Sequence, residues 1–279
     1  MITRIRGAVA VTVLAAALTA CATVHPRQPP RPAPAASPAA EAAPTLAPGP
    51  AGLTPVFHHG PRTGGRTVAL TFDADMTADQ GPRAAAGEHF DHPRLIATLR
   101  SLKVPATVFM TGRWAEEYPD QARSLGRDSL FEVANHSYSH YAFTGDCYGL
   151  PTVPAERMRA DVERAYAVFR KVGVRSPMPY FRFPGGCYDR PALKALVPAG
   201  VTAVQWDVVG GDAFATDADA VARQVLDGVR PGSVVVLHCT RSAAPTTERA
   251  VRTVVPELRR QGYRFVKVSE LIGAAGGRD

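Results

Sequence analysis

The chain has 279 residues, 46% of them hydrophobic, which permits a sizeable core in one large domain or two small ones. Its formal charge is +7 at pH 7, but the basic residues are scattered, as at Arg157, Arg159, Arg164, Arg170, Lys171 and Arg175. No dense basic run is interleaved with aromatics, so nucleic acid is not an expected partner, whereas a basic surface suits an anionic envelope or polymer, or is simply a solvated face.

Taken in order, the chain opens with Arg4 and Arg6 before a short apolar run, Gly7 to Ala20, below the roughly 20 residues a spanning helix needs. Leu18-Thr19-Ala20-Cys21 then resembles the lipobox of bacterial lipoproteins, which implies cleavage before Cys21 and a membrane anchor through lipid on its thiol. An ordinary secretory signal is the alternative, and both readings export the mature protein. Residues 22–63 are Pro- and Ala-rich and read as a disordered or polyproline-like tether. The expected organisation is a signal over 1–21, a tether over 22–63 and a folded domain over 64–279.

The folded part is organised around Val68 to Thr77, V-A-L-T-F-D-A-D-M-T. The apolar run has the composition of a strand buried on both faces, and it ends in two carboxylates, Asp73 and Asp75. A strand followed by an Asx-turn is the bland alternative. Thr77 to Asp91 reads as a polar loop, with Glu88, His89, Asp91 and His92 as solvated residues. Helices are expected over 93–103, after Gly112, and over 153–171, 190–196, 218–229 and 246–261. Strands are expected over 104–110, 129–134, 180–183, 201–206, 233–237 and 264–268. This alternation implies parallel strands with crossover helices, and about seven units suit a (β/α) barrel better than an open sheet.

Polar residues follow the strands. His136 and His140 are four apart and, on a helical turn, would face one ion together. With a carboxylate from another strand they make a 2-His-1-carboxylate set that leaves positions open for water and substrate. Zinc is the default ion, and cobalt or another divalent metal an alternative. Taken singly, His238 reads as a core histidine, Arg182 as a surface salt bridge and Asp212 as a cap or turn residue. With Cys21 set aside, Cys147, Cys187 and Cys239 predict one disulfide and one free thiol, with Cys147 and Cys187 the favoured pair because both lie in loop-like stretches.

These stretches together resemble the polysaccharide deacetylase family, the NodB-homology or family 4 carbohydrate esterases, from about Arg66 to Ile272. T-F-D-A-D resembles the first family motif, N-H-S-Y-S-H the second, F-R-F-P-G-G the third, W-D-V-V-G-G-D the fourth and V-L-H the fifth. The resemblance implies a distorted NodB-type barrel. It assigns Asp73 as general base, His136 and His140 as metal ligands, and Arg182 as the group orienting the base. Pro184 would shape the acetyl-side wall, and Asp212 would tune His238, the acid that protonates the leaving amine. Two departures stand out. The family's metal aspartate directly follows its base, but here Ala74 intervenes and Asp75 is the candidate ligand. Gly185 takes the place of a frequent Tyr, with a backbone N–H still available to substrate, and Phe214 lies near the place of a frequent Trp.

The implied activity is metal-dependent removal of acetyl groups from an N-acetylated polysaccharide, peptidoglycan or another N-acetylglucosamine polymer, outside the cytoplasm. An O-acetyl, xylan-type esterase uses the same machinery. A weakened glycan-binding protein is the alternative from another class, motivated by the displaced Asp75. A thiol hydrolase using Cys239 beside His238 is disfavoured, because adjacent strand residues face opposite ways.

Overall fold

The computed structural model describes residues 42–276. The expected leader with Cys21, and the tether up to residue 41, lie outside the described residues. Nine strands form one sheet: β1 Val56–Phe57, β2 Thr67–Ala74, β3 Ala106–Met110, β4 Phe131–Asn135, β5 Tyr180–Phe181, β6 Thr202–Val204, β7 Val208–Val209, β8 Ser233–His238 and β9 Arg264–Phe265. The order is β1-β6-β5-β4-β3-β2-β8-β7, with β9 also paired to β2, and every pairing is parallel. The sheet curls into a half-barrel with helices around it. These are α1 Gly81–Ala85, α2 Pro93–Ser101, α3 Gly112–Glu117, α4 Pro119–Leu125, α5 Met158–Val172, α6 Arg190–Leu196, α7 Ala218–Gly228, α8 Thr247–Arg260 and α9 Val268–Gly276. None is long and apolar enough to cross a membrane.

All seven expected strands are present, and β1 and β7 are additional. Each has two residues, too few for periodicity to register. β1 also moves the start of the fold upstream of Gly64. Val56 and Phe57 pair with Ala203 and Val204, and Phe57 is buried. Further back, Pro44 accepts a hydrogen bond from Tyr180 Oη at 2.8 Å, and the Leu46 N–H donates to Thr202 Oγ1 at 3.2 Å. The last part of the stretch read as tether is therefore packed on the sheet.

β2 is buried on both faces, which explains its continuous apolar run. Val68, Leu70, Phe72 and Ala74 face the outer core, shared with Leu95 and Leu99 of α2, Trp114 of α3 and Val251, Val255 and Leu258 of α8. Ala69 belongs to the inner core with Phe109, Ala134, Val204 and Val234. Each fully buried side chain of this kind contributes about 1.5–3 kcal/mol. The inner core is closed by α9, whose Val268, Leu271 and Ile272 lie in it. Its first turn is fixed by the Val268 N–H on Thr107 Oγ1 at 3.0 Å and the Ser269 N–H on Glu132 Oε1 at 3.1 Å. The strand expected over 264–268 thus stops at Phe265, and a helix follows.

The Thr77 to Asp91 stretch contains the short α1 and is less solvated than its composition suggests. Arg83 pairs with Glu88, but Asp91 and His92 are buried. His92 Nδ1 caps α2 by accepting from the Leu95 N–H at 3.3 Å, and Asp91 accepts from Gln121 at 2.6 Å. Because all strands run one way, their C-terminal ends gather at one end of the sheet, where α/β folds place their chemistry.

Candidate active site

β2 delivers the carboxylates. Asp73 is its penultimate residue and Ala74 its last. Side chains alternate along a strand, so Ala74, fully buried, faces the helix layer while Asp73 faces inward. Asp75, two residues beyond Asp73, returns to Asp73's side. The reversal that a one-residue shift implies falls on Ala74, and both acids reach one site. The turn is pinned by the Asp75 N–H on Thr240 Oγ1 at 3.0 Å and the Met76 N–H on Thr111 Oγ1 at 3.2 Å.

Arg182 is fully buried, not on the surface. Its Nη1 donates to Asp73 Oδ1 at 2.6 Å, Nε to the Val204 carbonyl at 3.2 Å and Nη2 to the Gln205 carbonyl at 3.4 Å. The guanidinium lies 3.9 Å from the Phe109 ring centre and 5.4 Å from that of Trp206. A planar, always-charged group with a fork of donors suits such a slot.

His136 follows the end of β4. Its Nδ1 is 2.9 Å from the Arg182 carbonyl, which can only accept, so Nδ1 carries the proton and Nε2 is left with its lone pair. That Nε2 is 3.3 Å from Asp75 Oδ1 and 3.6 Å from Asp73 Oδ2. His140 Nε2 is 3.6 Å from the same Asp75 Oδ1. The two histidines converge without the expected helical turn. Ser137 and His140 are left-handed, at φ 71° and 57°, and the segment is a loop. Asn135 Oδ1 accepts from the Ser137 N–H at 2.8 Å, Ser137 Oγ from the His140 N–H at 2.9 Å and Asp161 from the Tyr138 N–H at 2.7 Å.

One donor atom from each of Asp75, His136 and His140 lies within 4.8 Å of the others. Asp75 Oδ1 is buried and accepts no hydrogen bond, although two ring nitrogens face it. An orphaned buried carboxylate oxygen costs free energy unless a cation fills the gap, so this N2O donor set fits a divalent ion. Burial pushes the His140 imidazole down to about 4, with His136 and His238 adding to the effect, which keeps it a neutral ligand. Burial works against ionisation of Asp75 as well, but the neighbouring His140, His136 and His238 outweigh it and hold its carboxyl far below the usual range.

His238 ends β8 with its side chain 23% exposed. Its Nδ1 is 2.9 Å from Asp212 Oδ1, and its backbone N–H donates to Asp212 Oδ2 at 2.8 Å. Thr247 Oγ1 donates to that same oxygen at 2.6 Å. His238 Nε2 is left facing the site, 3.9 Å from Asp75 Oδ2. Burial alone would lower this imidazole, but the Asp212 carboxylate overrides it and raises the ring to about 10.

Pro184 is buried beside this cluster, Gly185 is exposed at φ +65°, and Phe214 is 82% exposed at φ +58°. Cys239 faces the outer core, away from His238, and burial pushes its thiol up to about 12, so the two do not form a nucleophile–base pair. Cys147 and Cys187 are joined in a disulfide, and Cys239 is the free, buried thiol among the described residues. Thr247, Asn135, Thr240 and Asp161 support the site and were not singled out from the sequence. Asn135, directly before His136, is the one with a local signal; the others act across tens of residues.

Residues 60–204 match the family model described as polysaccharide deacetylase. A chitooligosaccharide deacetylase of Bradyrhizobium sp. (strain ANU 289) is 28% identical, covering 77% of this chain and 94% of that protein. A peptidoglycan-N-acetylglucosamine deacetylase of Bacillus cereus (strain ATCC 14579) is 29% identical, covering 74% of this chain and 88% of the relative. Among solved structures, a peptidoglycan N-acetylglucosamine deacetylase bound to 4-naphthalen-1-yl-N-oxidanyl-benzamide superposes with a TM-score of 0.66 at 24% identity, covering 78% of this chain and 92% of that one. A family 4 carbohydrate esterase pseudoenzyme from Bacillus anthracis superposes at 0.64 with 23% identity, covering 82% and 70%. The fold is thus shared by an enzyme and a pseudoenzyme, and the side chains of the site must decide between them.

Proposed function

Because this chain belongs to the polysaccharide deacetylase family, we propose that it hydrolyses acetyl groups from an N-acetylglucosamine polymer such as peptidoglycan, outside the cytoplasm. One observation carries the reading. The Asp75, His136 and His140 donors converge beside two hydrogen-bonded pairs, Asp73–Arg182 and Asp212–His238. Three metal donors with a base and an acid on either side are the parts that amide hydrolysis needs. Cys21 would carry the lipid that anchors the protein to the membrane.

Asp75, His136 and His140 would hold a divalent ion, zinc by donor chemistry or cobalt as an alternative. When bound, it supplies Lewis-acid activation of water and of the acetyl carbonyl. Asp73 accepts the proton of the attacking water. Arg182 occupies Oδ1 of that carboxylate and orients Oδ2 for the transfer. Amines leave poorly unless protonated, and His238 donates that proton from Nε2. Asp212, bonded to Nδ1, fixes the ring and keeps it charged at neutral pH. Pro184 forms a wall beside the acetyl group, and Gly185 and Phe214 lie where the glycan would pass.

The test is acetate release from N-acetylglucosamine oligomers, peptidoglycan and acetylated xylan, with chelator and re-added zinc or cobalt. Asp75→Asn should lose the metal. Asp73→Asn should keep it and lose rate by about 10²-fold or more. Wild type that binds no metal and releases no acetate would overturn the reading in favour of a glycan-binding protein.

A further inference from the structure

Beyond His140 the chain forms a loop that closes at the Ala142–Thr152 bridge. Cys147, buried within it, is bonded to Cys187, just past the Pro184–Gly186 turn that follows Arg182. The loop is thereby clamped onto the wall of the site. Gly185 makes the approach possible: a Cβ there would stand 2.6 Å from Cys147 Sγ and 3.3 Å from Tyr148 Cδ2. The ring of Tyr148 thus lies over Gly185, on the β4–β5 side of β2, whereas His238 lies on the β8 side.

Tyr148 is 87% exposed, more than any other exposed large hydrophobic among the described residues, and its backbone is left-handed at φ +50°. Folding explains neither feature. A ring left in water gains no burial, and a left-handed backbone favours Gly or Asn over a bulky residue. Strain held at the rim of a site points to function. A pyranose offers C–H groups on its faces, and an aromatic ring offers a rigid, electron-rich face at low entropic cost.

We propose that Tyr148 is a sugar-stacking residue for the pyranose next to the one that bears the acetyl group, held in place by the Cys147–Cys187 disulfide. This assignment rests on the deacetylase reading of the site. It makes the enzyme one for chains of sugars, with the disulfide acting on affinity.

The experiment uses the full oxidised chain and acetate release from the N-acetylglucosamine dimer and pentamer. Tyr148→Ala should raise KM for the pentamer about tenfold, the loss of one aromatic contact. It should change kcat by less than about threefold and flatten the dependence of KM on chain length. Tyr148→Trp should restore KM. Cys147→Ser/Cys187→Ser should raise KM similarly, and adding Tyr148→Ala to it should add nothing. Tyr148→Ala removes only an exposed ring, so its result stands even if the cysteine variant folds poorly. Wild-type KM in Tyr148→Ala, from an active enzyme, overturns the proposal and leaves the deacetylase reading intact. A wild type inactive on both oligomers removes that reading, and the assignment with it.

Discussion

Asp212 binds His238 twice, through Nδ1 at 2.9 Å and through the backbone N–H at 2.8 Å. One carboxylate therefore sets both the ring's charge and the position of the strand end that carries it. Asp212→Asn should reduce kcat by about 10²-fold or more. It should also move the alkaline limb of the rate profile to lower pH. The sign follows from the protonated ring being the active acid. Asp212 raises the imidazole against the effect of burial, so its neutralisation lets the proton leave earlier. An unmoved alkaline limb would remove His238 from the acid role.

The displaced acid makes a second prediction. Ala74 is fully buried against the helix layer. In Ala74→Asp/Asp75→Ala the acid would directly follow Asp73 but point away from His136 and His140. We expect no metal binding by calorimetry, and a loss of at least about 3 kcal/mol in denaturant unfolding from the unpaired buried charge. Recovered metal binding would show that the turn can swing, and that strand alternation does not decide which position serves.

Arg182 and Asp73 are each other's compensation in a buried site. Arg182→Met strands the carboxylate and should cost about 3–5 kcal/mol. Asp73→Asn strands the guanidinium. In the double variant the losses should fall short of additive, a coupling readable from a double-mutant cycle in denaturant. Strict additivity would mean that the pair is not coupled in solution.

Glu132 lies far from the chemistry, in the inner core, where it receives Thr107 Oγ1 and the Ser269 N–H. Burial raises its carboxyl above the ordinary value, although those donors oppose the effect. A raised folded-state value means that the folded protein holds the proton more tightly. Its contribution is therefore full below the unfolded-state pKa and is lost as pH rises through the folded one. Gln accepts the same two hydrogen bonds without ionising. The Tm of Glu132→Gln relative to wild type should accordingly rise between pH 4 and pH 8, and a pH-independent difference would contradict the burial effect.

The alternation of apolar runs made all seven longer units legible, because strands buried on both faces carry a continuous signal. β1 and β7 escaped that reading: two residues cannot show a period, and Val56–Phe57 sits among prolines that suggest an unfolded chain. The site residues were legible through motif and spacing, but their conformation was not. His136 and His140 are four apart on a loop, brought together by Ser137 and His140 at positive φ and by an Asp161 bond from α5. Asp75 could be named, but its direction depended on where β2 ends. Thr247 and Asp212 are joined only by the folded chain.

The opposed directions of His238 and Cys239 also bear on oxidation. With its thiol sealed in the outer core and held up to about 12, Cys239 offers almost no thiolate to an oxidant or to another disulfide. Once β8 is in place, Cys147 and Cys187 have only each other among the described residues. An exported copy can then oxidise along a single connectivity, with no mispaired isomer to be reshuffled.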